Sequence, residues 1–134
     1  ELTSWYSPDP ELYAMTIGNA VASHKPLMLV FSSPSICTSL TCGPQVDVVS
    51  ELKERYKSQA NFVHVEIYDN PDDIQGDLDK ARYSPVVEAW GLTRIEGYFN
   101  GSWVFILDRD GRIASKYEGF ASLDELEVGL LSVL

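Results

Sequence analysis

The sequence predicts a single α/β domain over residues 1–134, with helices on both faces of a mixed β-sheet. Three observations carry this. Segments of strand character at 27–31, 62–68 and 103–107 alternate with segments of helical spacing, the pattern of strands joined by helices. The run Leu27-Met28-Leu29-Val30-Phe31 contains no polar residue, as a strand covered on both faces requires. Asp108-Arg109-Asp110-Gly111 forms a turn between 103–107 and 112–117. The last strand therefore returns antiparallel beside a central parallel part.

Each element has its own reason. Asp9-Pro10-Glu11 starts a helix: a capping acid, a proline at the first position and an acid in the first turn. Tyr13, Ile17, Ala20 and Val21 continue it at helical spacing until Lys25-Pro26, so residues 1–24 read as an N-terminal extension with one helix. After the first strand, Ser32-Ser33-Pro34-Ser35 is a loop. Residues 44–58 are helical, with Val46, Val49, Leu52 and Tyr56 on one face. Residues 62–68 form the second strand. The acidic stretch 69–83 is a loop with one turn of helix, and 85–90 is a short helix ended by Gly91. Ser122 and Glu125 make a capping box for the last helix, whose Leu126, Leu130 and Val133 face the core.

The 134 residues suffice for one core without disulfide staples. Ten Lys and Arg against twenty Asp and Glu give a net charge of −10, and no basic stripe is present. Nucleic acid is therefore repelled, and an anionic membrane surface is unattractive for the same reason. No apolar run is long enough to span a bilayer. The chain opens on Glu1, so a longer precursor with a removed leader or anchor is expected.

Cys37-Thr38-Ser39-Leu40-Thr41-Cys42 lies between the first strand and the long helix. The carboxyl end of a strand is where an α/β sheet presents chemistry. The helix N-terminus there stabilises a thiolate, lowering thiol pKa values from about 8.5 to roughly 3.5–7.5. If Thr41 is the N-cap, Cys42 at the first helical position is the activated thiol; if the helix starts near Thr38 and kinks at Pro44, it is Cys37. Residues five apart in a regular helix stand about 8 Å apart at Cα, beyond bridging distance. A disulfide therefore requires Cys37 to lie outside the helix. The plain alternative is two inert thiols in the core.

These segments resemble the thioredoxin-like superfamily in its bacterial extracytoplasmic branch. The matching residues are 25–31, 37–44, 62–68, 86–92 and 103–113, where the strand Trp103-Val104-Phe105-Ile106-Leu107 runs into Asp108-Arg109-Asp110-Gly111. The resemblance implies a three-layer fold and an extracytoplasmic, monomeric protein acting on protein thiols or disulfides without a cofactor. Cys37 aligns with the family's exposed nucleophile, Cys42 with its resolving cysteine and Pro44 with the proline of its active-site helix. A second register lays Cys42-Gly43-Pro44-Gln45 on the family's Cys-Gly-Pro-Cys, with Gln45 in the resolving place. The chain departs from the pattern in three places. Four residues separate the cysteines instead of two. Ser102 stands at the family's cis-proline, and its peptide bond is expected to be trans. Val30 stands at the family's buried acid, for which Glu66 on the next strand is a substitute. Pro34, Thr38, Thr41, Pro44, Glu66, Ser102 and Trp103 are thus the expected lining of the site.

Three functions follow in order. The first is a thiol–disulfide oxidoreductase or redox carrier using Cys37 and Cys42. The second is a non-catalytic protein-binding module in which the pair is a structural bridge. The third is a copper chaperone, with His64 and the two cysteines as ligands; in such relatives the ligand histidine comes late in the chain, whereas His64 is mid-strand, and a packed strand histidine is the plainer reading. His24 reads as a solvated helix end, and the acidic loop lacks calcium-loop spacing, so no metal site is assigned. Asn100-Gly101-Ser102 matches the glycosylation pattern, but a tight turn accounts for it.

Overall fold

A computed structural model describes residues 8–37 and 40–134. Four strands form one sheet: β1 (Leu27–Ser32), β2 (Asn61–Glu66), β3 (Trp103–Leu107) and β4 (Ile113–Glu118), in the order β2-β1-β3-β4. β1 pairs parallel with β2, Val30 opposite His64, and antiparallel with β3, Val30 opposite Val104. β3 and β4 form the predicted hairpin, its register shifting between Ile106 and Leu107. Gly111 supplies the positive φ, 79°, that the connecting turn needs.

β1 is buried along its whole length because helices cover both faces. On one face α2 (Cys42–Tyr56) and α5 (Leu123–Leu131) send Val46, Val49, Leu52, Leu126 and Leu130 against Met28, Val30, Val104 and Ile106. On the other, α1 (Ile17–Ala22) and α4 (Pro85–Ala89) pack Ala20 and Val87 with Leu27, Leu29, Phe31 and Phe105. The fold is the three-layer α/β arrangement with a mixed sheet that the strand and helix pattern predicts.

Two elements differ from expectation. The predicted helix after Asp9 is two pieces: a 3-10 turn over Pro10–Tyr13, and α1. Leu12 belongs to the core on the α2 side of the sheet and Ala20 to the core on the opposite side. The chain must therefore break as it crosses from one face to the other. Thr16 restarts the helix by accepting from the Asn19 amide at 3.1 Å. Asp9 at the head of the 3-10 turn is held by the buried Lys53 of α2 at 2.7 Å. Residues 69–83 contain two turns rather than one, α3 (Pro71–Ile74) and a 3-10 turn over Leu78–Lys80.

α2 begins at Cys42 with Thr41 as its N-cap, two residues earlier than predicted. Pro44 falls in the first turn, where it costs no hydrogen bond. α5 is capped as predicted: the Ser122 hydroxyl accepts from the Glu125 amide at 3.2 Å. Leu126 and Leu130 are buried; Val133 is half-buried at the edge of the same core.

Candidate functional site

β1 ends at Ser32, and the chain turns at once. The Ser33 carbonyl accepts from the amides of Ile36 (3.0 Å) and Cys37 (2.8 Å), closing one turn around the half-buried Pro34. That turn places Cys37 outside the helix. Cys37 and Cys42 then stand 6.3 Å apart at Cα, within bridging range, and are joined in a disulfide of 2.02 Å. The geometric condition set by the sequence is met, because Cys37 lies outside the helix that begins at Cys42. Thr38 lies outside the described residues.

The two sulfurs are not equivalent. Cys42 occupies the first position of α2 and is completely buried, whereas Cys37 is partly exposed. Unpaired amides and the helix dipole meet at Cys42, so a thiolate released there is stabilised. Of the two residues, however, only Cys37 has any exposure to solvent. The helix start favours one cysteine and accessibility the other.

The remaining expected residues divide. Thr41 occupies the N-cap position without a side-chain capping hydrogen bond, and Pro44 is exposed in the first turn. Glu66 is buried at the end of β2 and accepts a hydrogen bond from the Ser33 hydroxyl, so it reaches the Cys37 turn through one residue. Val30 is an apolar core residue. Ser102 is buried, and all peptide bonds among the described residues are trans. Its hydroxyl donates to the Gly119 carbonyl at 3.2 Å. Trp103 stacks on Phe105, and with Ser102 and Asn100 it lines a hollow of about 260 Å³.

The group touching the sulfurs is the main-chain carbonyl of Asn100, 3.0 Å from Cys37 Sγ and 3.8 Å from Cys42 Sγ. In the disulfide neither sulfur carries a proton, so this is packing; in the dithiol the carbonyl becomes an acceptor for S–H. The Asn100 side chain donates to the Ile36 carbonyl at 3.4 Å, tying its loop to the Cys37 turn. Asn100 is 1% exposed, so its glycosylation pattern is coincidental.

Sequence reasoning also missed Ser32 and Gln45. The Ser32 hydroxyl donates to the Cys42 carbonyl at 2.9 Å. Gln45 is buried and clasps the Ala121 backbone, accepting from its amide at 2.6 Å and donating to its carbonyl at 3.2 Å. That role, with the disulfide in place, agrees with the register pairing Cys37 and Cys42 rather than the one placing Gln45 at a resolving cysteine. Buried polar side chains beside a cysteine segment were the available signal.

His64 is no metal ligand as placed. Nε2 lies 2.9 Å from the Ser32 carbonyl and Nδ1 2.6 Å from the Tyr13 hydroxyl, so both ring nitrogens are engaged. Burial lowers its pKa to about 4. Among the described residues no group of three or more His, Cys, Asp or Glu side chains is placed to hold a metal ion. A larger hollow of about 590 Å³ opens along β2 between Tyr13, Met15 and Ile17 on one side and Val86 on the other. No cysteine is among its described lining residues, although His64 and Glu66 line it.

No protein-family model matches the sequence, and no curated protein does. Solved structures do. A thiol:disulfide interchange protein of the thioredoxin family from Chlorobium tepidum superposes with a TM-score of 0.61 at 15% identity, covering 84% of this chain and 83% of that one. The pneumococcal exposed lipoprotein thioredoxin from Streptococcus pneumoniae gives 0.59 at 13% identity, with coverages of 84% and 89%. The MTB protein dsbF gives 0.59 at 21% identity, with coverages of 83% and 82%. At such identities the likeness establishes architecture. The chain is a member of the thioredoxin-like fold, carrying a Cys-x4-Cys disulfide between its central strand and the following helix.

Proposed function

We propose that this protein is a thiol–disulfide oxidoreductase or redox carrier for protein partners, working outside the cytoplasm. The observation that carries this reading is the asymmetry of the pair, a partly exposed Cys37 bonded to a buried Cys42 at a helix N-terminus. A partner thiolate attacks Cys37 Sγ. The Cys37–Cys42 bond breaks, and Cys42 leaves as a thiolate where the helix dipole stabilises it. Thiols of low pKa leave faster, so this direction of cleavage is favoured. In reverse, the Cys42 thiolate attacks Cys37 in the mixed disulfide and releases the partner thiol. Neighbours named as interchange proteins support exchange chemistry, and one named as an exposed lipoprotein supports the location.

The test is insulin reduction with dithiothreitol as donor. Wild type is expected to accelerate it, and Cys37→Ser to return the rate to the uncatalysed background. Cys42→Ser, lacking the resolving sulfur, is expected to accumulate mixed disulfides on Cys37, visible by non-reducing gel and mass spectrometry. A structural bridge behaves otherwise: no turnover, and a reduction potential below about −300 mV. That result would establish the second reading, a binding module with an inert disulfide.

A further inference from the structure

One buried hydrogen-bonded chain joins the N-terminal segment to the disulfide. The Ser32 carbonyl can only accept, so the proton of His64 sits on Nε2, which donates across 2.9 Å. Nδ1 is then the acceptor, and the Tyr13 hydroxyl donates to it across 2.6 Å. Ser32 in turn donates through its own hydroxyl to the Cys42 carbonyl at 2.9 Å. Ser32 is fully buried and His64 is 3% exposed. Nothing in the exchange steps above uses either residue.

We propose that Ser32 and His64 are positioning residues that set the reduction potential of the Cys37–Cys42 pair, an inference that rests on the exchange reading. Cys42 is the first residue of α2, and first turns fray more readily than helix interiors. The Ser32 hydroxyl fastens the Cys42 carbonyl to β1, the central strand of the sheet. His64 fixes Ser32 by holding its carbonyl from β2. With the tie made, reduction leaves Cys42 where the disulfide had it, close to Cys37, and the equilibrium favours re-oxidation. Without it the dithiol gains freedom that the disulfide cannot share, and the bond becomes easier to reduce.

The experiment is equilibration of the intact protein with glutathione redox buffers. Two glutathione thiols reduce the disulfide to a dithiol and leave as one glutathione disulfide. The oxidised and reduced fractions are counted by mass after thiol trapping. Ser32→Ala is expected to shift the equilibrium constant toward the dithiol about three- to tenfold, through the freedom the dithiol alone gains, with the strength of one net hydrogen bond as its ceiling. His64→Leu is expected to shift it the same way. His64→Gln, whose amide nitrogen reaches about as far as Nε2, is expected to restore most of the loss. Because both act through one carbonyl, Ser32→Ala with His64→Leu should shift little more than Ser32→Ala alone. Wild type that exchanges while Ser32→Ala and His64→Leu are folded and within twofold of it overturns the positioning role and leaves the exchange reading standing. Wild type that stays oxidised in every buffer and turns over no insulin overturns the exchange reading and the proposal together.

Discussion

At the scale of single residues the protein is governed by what is buried beneath its disulfide. Ser32, Ser33, His64, Glu66 and Asn100 are all buried polar residues. Each has a hydrogen-bond partner within the group of loops and strand ends that meets at the sulfurs. His64 makes this measurable. Its pKa is about 4 in the folded chain because burial opposes the charged ring, against about 6.5 when unfolded. Between those two values the unfolded chain binds a proton that the folded chain refuses. Stability therefore falls as pH drops from about 6.5 to about 4, by on the order of 3 kcal/mol, and this group contributes no slope above that window. Urea unfolding at a series of pH values checks this, with His64→Gln expected to lose that part of the slope. A wild-type midpoint insensitive to pH across the window would contradict it. Phe62-Val63-His64-Val65 predicts a packed strand histidine, and His64 is buried on β2; what the ring faces was not legible there, because it depends on Tyr13 and Ser32, residues distant in the chain.

At the scale of elements, the sequence spoke clearly where one local rule decides. Ser122 caps α5, Gly91 follows α4 with a φ of 78°, and the Asp-Arg-Asp-Gly turn joins β3 to β4. It misled where tertiary contacts overrule spacing. Tyr13, Ile17, Ala20 and Val21 fit one helix, yet the segment serves two cores on opposite faces and has to break at 14–16. α5 shows another contact that spacing does not reveal. A Cβ on Gly129 would lie 2.9 Å from Ile106 Cδ1 and against the Tyr117 hydroxyl, so α5 approaches the sheet as closely as glycine allows. Gly129→Ala is expected to cost about 1–3 kcal/mol through overpacking, despite alanine's better helix propensity. Thermal unfolding measures it, and a variant as stable as wild type would show that α5 can shift outward freely.

At the scale of the whole molecule, the disulfide is a small part of what holds the fold. It closes a loop with a sequence separation of only 5 residues, for which the chain-entropy model gives about 2 kcal/mol. Two apolar cores, one on each face of the sheet, supply the bulk of the stability. The reduced protein is therefore expected to keep its far-ultraviolet circular dichroism and a cooperative transition, with a modestly lower Tm. A redox protein needs both states folded, so collapse of the reduced form to an unfolded chain would count against the exchange reading as well as this estimate.

The sequence by itself determined the three-layer α/β class, the extent of most strands and helices, and the location of the cysteine pair between a strand and a helix. Those features rest on apolar periodicity, capping residues and turn residues, which act over a few neighbours in the chain. Only the tertiary structure decided that the helix begins at Cys42 with Thr41 in the N-cap position, that Cys42 is buried while Cys37 is partly exposed, and that the Asn100 carbonyl meets the sulfurs. Those outcomes depend on how a loop beyond β1, the start of α2 and the loop before β3 pack together. Contacts between segments some 60 residues apart are set by the shape of the assembled core, and no local pattern encodes them.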